Sequence, residues 1–169
     1  MSPLVSIIMG STSDLPVMEK AMQFLNDMQV PFEVNALSAH RTPDAVEHFA
    51  KGAKARGIKV IIAGAGMAAA LPGVIAASTS LPVIGVPIKG SVLDGVDALF
   101  SILQMPPGIP VATVAINGAM NAAILACQMI SLADEALSAK MEAYKASLGS
   151  KIEKANLALA EVKYEYKVN

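Results

Sequence analysis

The stretch Lys59–Lys89, KVIIAGAGMAAALPGVIAASTSLPVIGVPIK, has no charged residue between its two end lysines. Its reading decides the fold. It is long enough to span a bilayer, but Gly64, Gly66, Pro72, Gly73, Pro82 and Pro87 break it, and its middle is mostly alanine. Two short β-branched runs around a small-residue helix are the pattern of parallel strands buried on both faces. We therefore read a strand at about Lys59–Ala63, a helix at about Ala68–Ser78 and a strand at about Pro82–Val86. No membrane span is expected.

The same alternation continues outward in both directions. Val5–Met9 is an apolar strand, and Asp14–Met28 carries Met18, Ala21, Met22, Leu25 and Met28 at the helical period. Phe32, Val34 and Ala36 alternate with Glu33 and Asn35, which predicts a strand polar on one side. Thr42 as cap, Pro43 at the first position and Gly57 past the end delimit a helix whose buried stripe is Val46, Phe49, Ala50 and Ala53. Downstream, a helix at Asp94–Gln104, a strand at Val111–Ala115 and a helix from Ala119 to about Leu132 complete five β–α units. Such units imply a parallel sheet covered on both faces, with right-handed crossovers. The simplest arrangement is a three-layer, flavodoxin-like, doubly wound α/β fold with strand order 2-1-3-4-5.

After Asp134 lysine and glutamate become frequent. Leu137, Met141, Tyr144, Leu148, Ile152, Leu159 and Val162 form a rough helical stripe interrupted by Gly149. The expected organisation is an α/β domain over 1–133 and a helical extension of it over 134–169. That tail either packs back on its own domain or reaches to a neighbouring subunit.

Bulk properties exclude several classes. A chain of 169 residues buries a core without disulfides or metals, and a net charge of -1 leaves no basic footprint for nucleic acid. The single Cys127 rules out an internal disulfide and reads as a buried small hydrophobe. Met1-Ser2-Pro3-Leu4 has no signal-peptide pattern, so a cytoplasmic protein is expected. A mean hydropathy of +0.52 with 16% charged residues points to surface buried between subunits.

In open α/β sheets ligands sit beyond the carboxyl ends of the strands, where strand order reverses. Three loops therefore matter. Gly10-Ser11-Thr12-Ser13-Asp14 sets hydroxyls and a carboxylate on a helix N-terminus, an anion site or simple capping by Ser13 or Asp14. Ser38-Ala39-His40-Arg41-Thr42-Pro43 joins an arginine fork suited to phosphate with a histidine suited to proton transfer. His48, amid Glu47 and Lys51, reads as a solvated helix face. Gly64-Ala65-Gly66-Met67-Ala68-Ala69 has the form of a dinucleotide fingerprint but lies in the wrong β–α unit, and no acid follows the next strand. A dinucleotide cofactor is therefore rejected. The third loop is instead a small, apolar wall that admits a flat ligand closely. No metal-ligand cluster is recognisable, and no metal site is expected.

These loops, with Leu71-Pro72-Gly73 and Gln104-Met105-Pro106-Pro107-Gly108-Ile109-Pro110-Val111, resemble the PurE family of purine biosynthesis, in order from about Leu4 to Leu132. The resemblance implies a flavodoxin-like fold assembled as a homo-octamer. It implies an isomerase, a mutase moving a carboxylate within 5-(carboxyamino)imidazole ribonucleotide from the exocyclic nitrogen to the adjacent ring carbon, without ATP, metal or organic cofactor. By position, Ser11, Ser13 and Arg41 would hold the phosphate, with Gly10 in the same loop, and Asp14 the ribose hydroxyls. Ser38 would shape the site, and the Gly66-Met67-Ala68 backbone, with Leu71 beyond it, would face the migrating carboxylate. Many members have a glycine where this chain has Met67 and a histidine where it has Ala70. The loop Ile116-Asn117-Gly118-Ala119 also looks short.

The residues fit that chemistry. A carbamate releases carbon dioxide when its nitrogen is protonated, and the freed enamine-like carbon can attack it; His40 would give and retake the proton. The apolar third loop would hold carbon dioxide and exclude water. Two alternatives stand beside this reading. One is a carboxylase that adds carbon dioxide directly to aminoimidazole ribonucleotide; members of that kind tend to have lysine at the Arg41 position. The other is a non-catalytic nucleotide-binding module. A phospho-accepting receiver is unsupported, because Gly10-Ser11 and Gly64-Ala65 stand where its acids belong.

Overall fold

The structure, a computed structural model, describes residues 2–168. Val5–Met9 (β1) is buried at every position and lies between β2 (Phe32–Ala36) and β3 (Val60–Gly66). β4 (Val83–Ile88) and β5 (Ala112–Thr113) complete a five-stranded sheet of order 2-1-3-4-5. Every pairing is parallel, with Val5 opposite Phe32 on one side and Val60 on the other. Helices α1 (Leu15–Asp27), α2 (Pro43–Ala53), α3 (Leu71–Ser78), α4 (Val96–Leu103) and α5 (Ala119–Ser131) cover both faces. The order reverses at β1 and β3, which sets the ends of β1, β2 and β3 side by side.

The core follows from residue type. Between the sheet and α2, α3 and α4, Ile8, Ile61, Val46, Ala50, Ile75 and Ile102 pack in one buried cluster. Alanines on α2 and Gly85 on β4 let these layers approach closely. A Cβ at Gly85 would fall 2.5 Å from Ile102 Cγ2.

Several expected details are corrected. The alternation on β2 is reversed: Val34 and Ala36 are exposed while Glu33 is half-buried. The reason is buried Ser6, whose hydroxyl donates to Glu33 Oε1 (3.0 Å), an oxygen that also accepts from Arg56 (3.1 Å). β3 runs three residues beyond the expected end, to Gly66. Gly64, Ala65 and Gly66 pair with Val86, Pro87 and Ile88, and a Cβ at Gly66 would crowd the Ile88 carbonyl at 3.2 Å. In consequence α3 starts at Leu71, not Ala68. β5 shrinks to two residues on the sheet edge. Gly57 does terminate the second helical segment, in the left-handed conformation at φ 94°, after a 3-10 turn at Lys54–Arg56.

The chain divides after Ile130 into two compact units. The second contains one long helix, α6 (Glu135–Ala160), started by Asp134, whose carboxylate accepts from the Leu137 N–H at 2.9 Å. The helix passes through Gly149 unbroken, because one glycine costs about 1 kcal/mol in a helix interior, too little to stop 26 residues. From Lys145 to Ala160 every residue is exposed. No helix among the described residues is long and apolar enough to cross a membrane.

Candidate active site

Beyond the carboxyl ends of β1, β2, β3 and β4 lies an open cleft of ≈ 660 Å³. Its three walls are the loops singled out in the sequence.

The first wall is Gly10 with Ser11, Ser13 and Asp14. Thr12–Asp14 forms a 3-10 turn ahead of α1, and Ser11 caps it by accepting from the Ser13 N–H at 3.3 Å. Capping therefore falls to Ser11, not to Ser13 or Asp14. Asp14 precedes α1 without a side-chain capping bond and lines the cleft instead. Burial pushes its carboxyl above the ordinary value, partly offset by hydrogen bonds involving the Ser11 backbone, the Ser13 side chain and the Gly10 backbone.

The second wall is a locked turn. The Ser38 N–H donates to Thr42 Oγ1 (3.0 Å), while the Thr42 hydroxyl and N–H both donate to the Ser38 carbonyl (3.1 and 2.8 Å). Thr42 thus braces its own loop instead of capping α2 with its side chain. Within this brace Arg41 receives its shape. Its N–H and Nε donate to Ser38 Oγ at 3.2 and 3.4 Å, and one terminal nitrogen donates to the Gly10 carbonyl at 2.9 Å. Arg41 therefore stitches the second loop to the first. Two of the guanidinium's five donors are so used, and the remainder are free of these bonds at an exposed rim. His40 stands beside it, exposed and lining the same cleft.

The third wall runs from Ala65 to Leu71. Gly66, Met67, Ala68 and Leu71 all line the cleft. Apart from Met67 and the buried Leu71, it presents only glycine and methyl groups. Ala70, at the N-cap of α3, adds no polar group.

All eleven residues expected at the site (Gly10, Ser11, Ser13, Asp14, Ser38, His40, Arg41, Gly66, Met67, Ala68 and Leu71) are brought around this one cleft. His48 is exposed on α2, apart from it. The sequence reading missed Ile88, Lys89 and Gly90, which form part of the rim after β4. Lys89 was detectable as the first charge after the uncharged stretch. It pairs with Asp94 at 2.9 Å, and that hydrogen bond, then the charge attraction, raises its pKa. The short loop after β5 holds this rim: Asn117 Oδ1 accepts from the Lys89 N–H (2.9 Å), and the Asn117 N–H donates to the Pro87 carbonyl (2.8 Å). That link spans β4 and β5, and no sequence period records it.

Fold and cleft together define a flavodoxin-like α/β protein with a polar, arginine-bearing end and a methyl-lined end at its switch point. Residues 4–151 match the family model described as AIR carboxylase, and the chain belongs to that family. A relative from Pyrococcus horikoshii named N5-carboxyaminoimidazole ribonucleotide mutase is 53% identical, over 96% of this chain and 92% of its own. The Thermotoga maritima protein of the same name is 50% identical over 99% and 98%. The Saccharomyces cerevisiae phosphoribosylaminoimidazole carboxylase is 61% identical over 84% of this chain, which spans only 25% of that longer protein. Among solved structures, Treponema denticola PurE superposes with a TM-score of 0.84 at 32% identity, covering 93% of this chain and 98% of its own.

Proposed function

We propose that this chain is an isomerase of purine biosynthesis that converts 5-(carboxyamino)imidazole ribonucleotide to 4-carboxy-5-aminoimidazole ribonucleotide. The reading is carried by one cleft that joins an anion-holding end to a small apolar end, in a chain whose relatives of matching length bear the mutase name. The fungal carboxylase name belongs to polypeptides of which this chain is a minor part.

In this reading Ser11, Ser13 and the remaining Arg41 donors hold the phosphate, and Asp14 accepts from the ribose hydroxyls. Ser38 keeps Arg41 and the His40 loop in shape. The base lies along Gly66-Met67-Ala68 and Leu71. His40, as imidazolium, donates a proton to the exocyclic nitrogen as its bond to carbon breaks, releasing carbon dioxide and the neutral enamine. The ring carbon then attacks carbon dioxide, a carbon–carbon bond forms, and the ring proton returns to His40. One proton leaves and one returns, so no cofactor, metal or ATP enters the balance. The apolar wall disfavours water and leaves carbon dioxide no polar competitor.

The site works inside an assembly of copies, a homo-octamer by family resemblance, in the cytoplasm. Support comes from α4, whose Val96, Phe100 and Leu103 stand 45%, 60% and 48% exposed at spacings of one helical face, beside exposed Val92 and Leu93. Its opposite face, Ala98 and Ile102, is already buried.

The test is turnover of the carbamate nucleotide by purified protein without ATP. Formation of the carbon-carboxylated product is expected. Product formed only from aminoimidazole ribonucleotide plus bicarbonate would establish the carboxylase reading instead, and ligand binding without either turnover would leave a binding module.

A further inference from the structure

Among the described residues, four non-glycine residues have a positive φ: Gln29, Met67, Asp94 and Asn117. Three are polar. Asn117 accepts from the Lys89 N–H, Asp94 pairs with Lys89, and the Gln29 N–H donates to Asn26 at a helix end. Met67, at φ 55°, is the apolar one, and it is 72% exposed. A side chain in this conformation carries a steric cost that glycine would not. At that exposure, burial within the unit does little to offset the cost of a methionine there. What the methionine adds over glycine is only its side chain.

That side chain stands on the cleft. Met67 is the one long, unburied residue in a wall otherwise made of glycine and alanine up to Leu71. Its Cγ lies 4.0 Å from the position a Cβ would take on Gly90, so it reaches toward the rim after β4. A flexible thioether adapts to an irregular apolar partner better than a branched side chain does.

We propose that Met67 is the retention residue of the site, a side chain that closes over the methyl-lined end and keeps free carbon dioxide there between its release and its recapture. This rests on the mutase reading above. Carbon dioxide is linear, uncharged and a poor hydrogen-bond acceptor, so polar groups cannot hold it and steric cover must. The cost of the left-handed backbone is offset when the side chain is buried against the ligand. An observed strained residue thereby finds its reason in function.

The test follows the carboxyl carbon. Wild type and the variants Met67→Gly, Met67→Ala and Met67→Leu convert carboxyl-13C-labelled carbamate nucleotide in unlabelled bicarbonate, against an enzyme-free control. Per turnover, label lost from the product and aminoimidazole ribonucleotide released are counted. Wild type and the leucine variant should keep the label. The glycine and alanine variants should lose it about tenfold more often, a change equal to about 1.4 kcal/mol of cover. The alanine variant keeps the backbone strain and the glycine variant removes it, so similar leakage in both assigns the effect to the side chain; the glycine variant should also melt no lower than wild type. Equal retention in all active variants would overturn the proposal, as would a change in mass by light scattering with retention intact, which would make Met67 a subunit contact. No conversion of the carbamate by wild type would instead overturn the mutase reading, and this proposal with it.

Discussion

His40, Asp14 and Cys127 show how much a single position is decided by its surroundings. His40 has the exposure and the locked loop that a proton shuttle needs, while Arg41 and Ser11 stay in place without it. His40→Asn should therefore retain binding of the nucleotide monophosphate in calorimetry and lose turnover by more than the ~10²–10⁴ typical of one acid–base group. Asp14 carries a raised pKa from burial. Between its ordinary value of 3.8 and the higher folded value, the native state binds more protons than the unfolded chain, so this residue's contribution to stability falls as pH rises through that window. Asp14→Asn should unfold at higher urea than wild type at pH 7, with the difference vanishing below pH 3.8. The same variant should bind nucleotide about ten- to a hundredfold more weakly, because charge-assisted bonds are lost. Cys127, fully buried with its thiol pushed up to about 11, should resist a disulfide reagent at pH 8 until denaturant is added.

Among the elements, β4 is sensitive to added volume at Gly85. Gly85→Ala would place a methyl 2.5 Å from Ile102 and 2.9 Å from Val111, and should cost about 1–3 kcal/mol in a denaturant titration, with secondary structure retained. That element also marks what sequence made legible. The β-branched runs at Val60–Ile62 and Val83–Val86 revealed buried parallel strands because burial on both faces leaves no polar alternation. Their ends were not legible. β3 reaches Gly66 only because its partner β4 continues through Pro87 to Ile88, and a pairing partner leaves no mark on the strand it extends. The reversed pattern of β2 had a similar origin, since Glu33 faces a buried serine on the next strand. At the cleft, loop composition announced the three walls, because glycine, hydroxyl and guanidinium groups are read directly. The rim after β4 was hidden, as its shape depends on Asn117 some 28 residues on.

At the scale of the whole molecule, the doubly apolar α4 has the sharpest consequence. If its outer face lies between copies, Phe100→Glu should give a smaller particle by light scattering than wild type, with circular dichroism unchanged because residue 100 is on the exposed side. An unchanged mass would remove α4 from the interface. The reversal of strand order at β1 has another consequence, in the order in which the chain is made. β1 is synthesised first, yet one of its two neighbours, β3, ends at Gly66. Until the ribosome has released that segment, VSIIM has one open edge and the first two loops of the cleft have no third wall. A nascent chain made only as far as the start of β3 is thus an apolar strand pair awaiting its centre. A translational pause ahead of the uncharged segment that closes that edge would prolong its exposure.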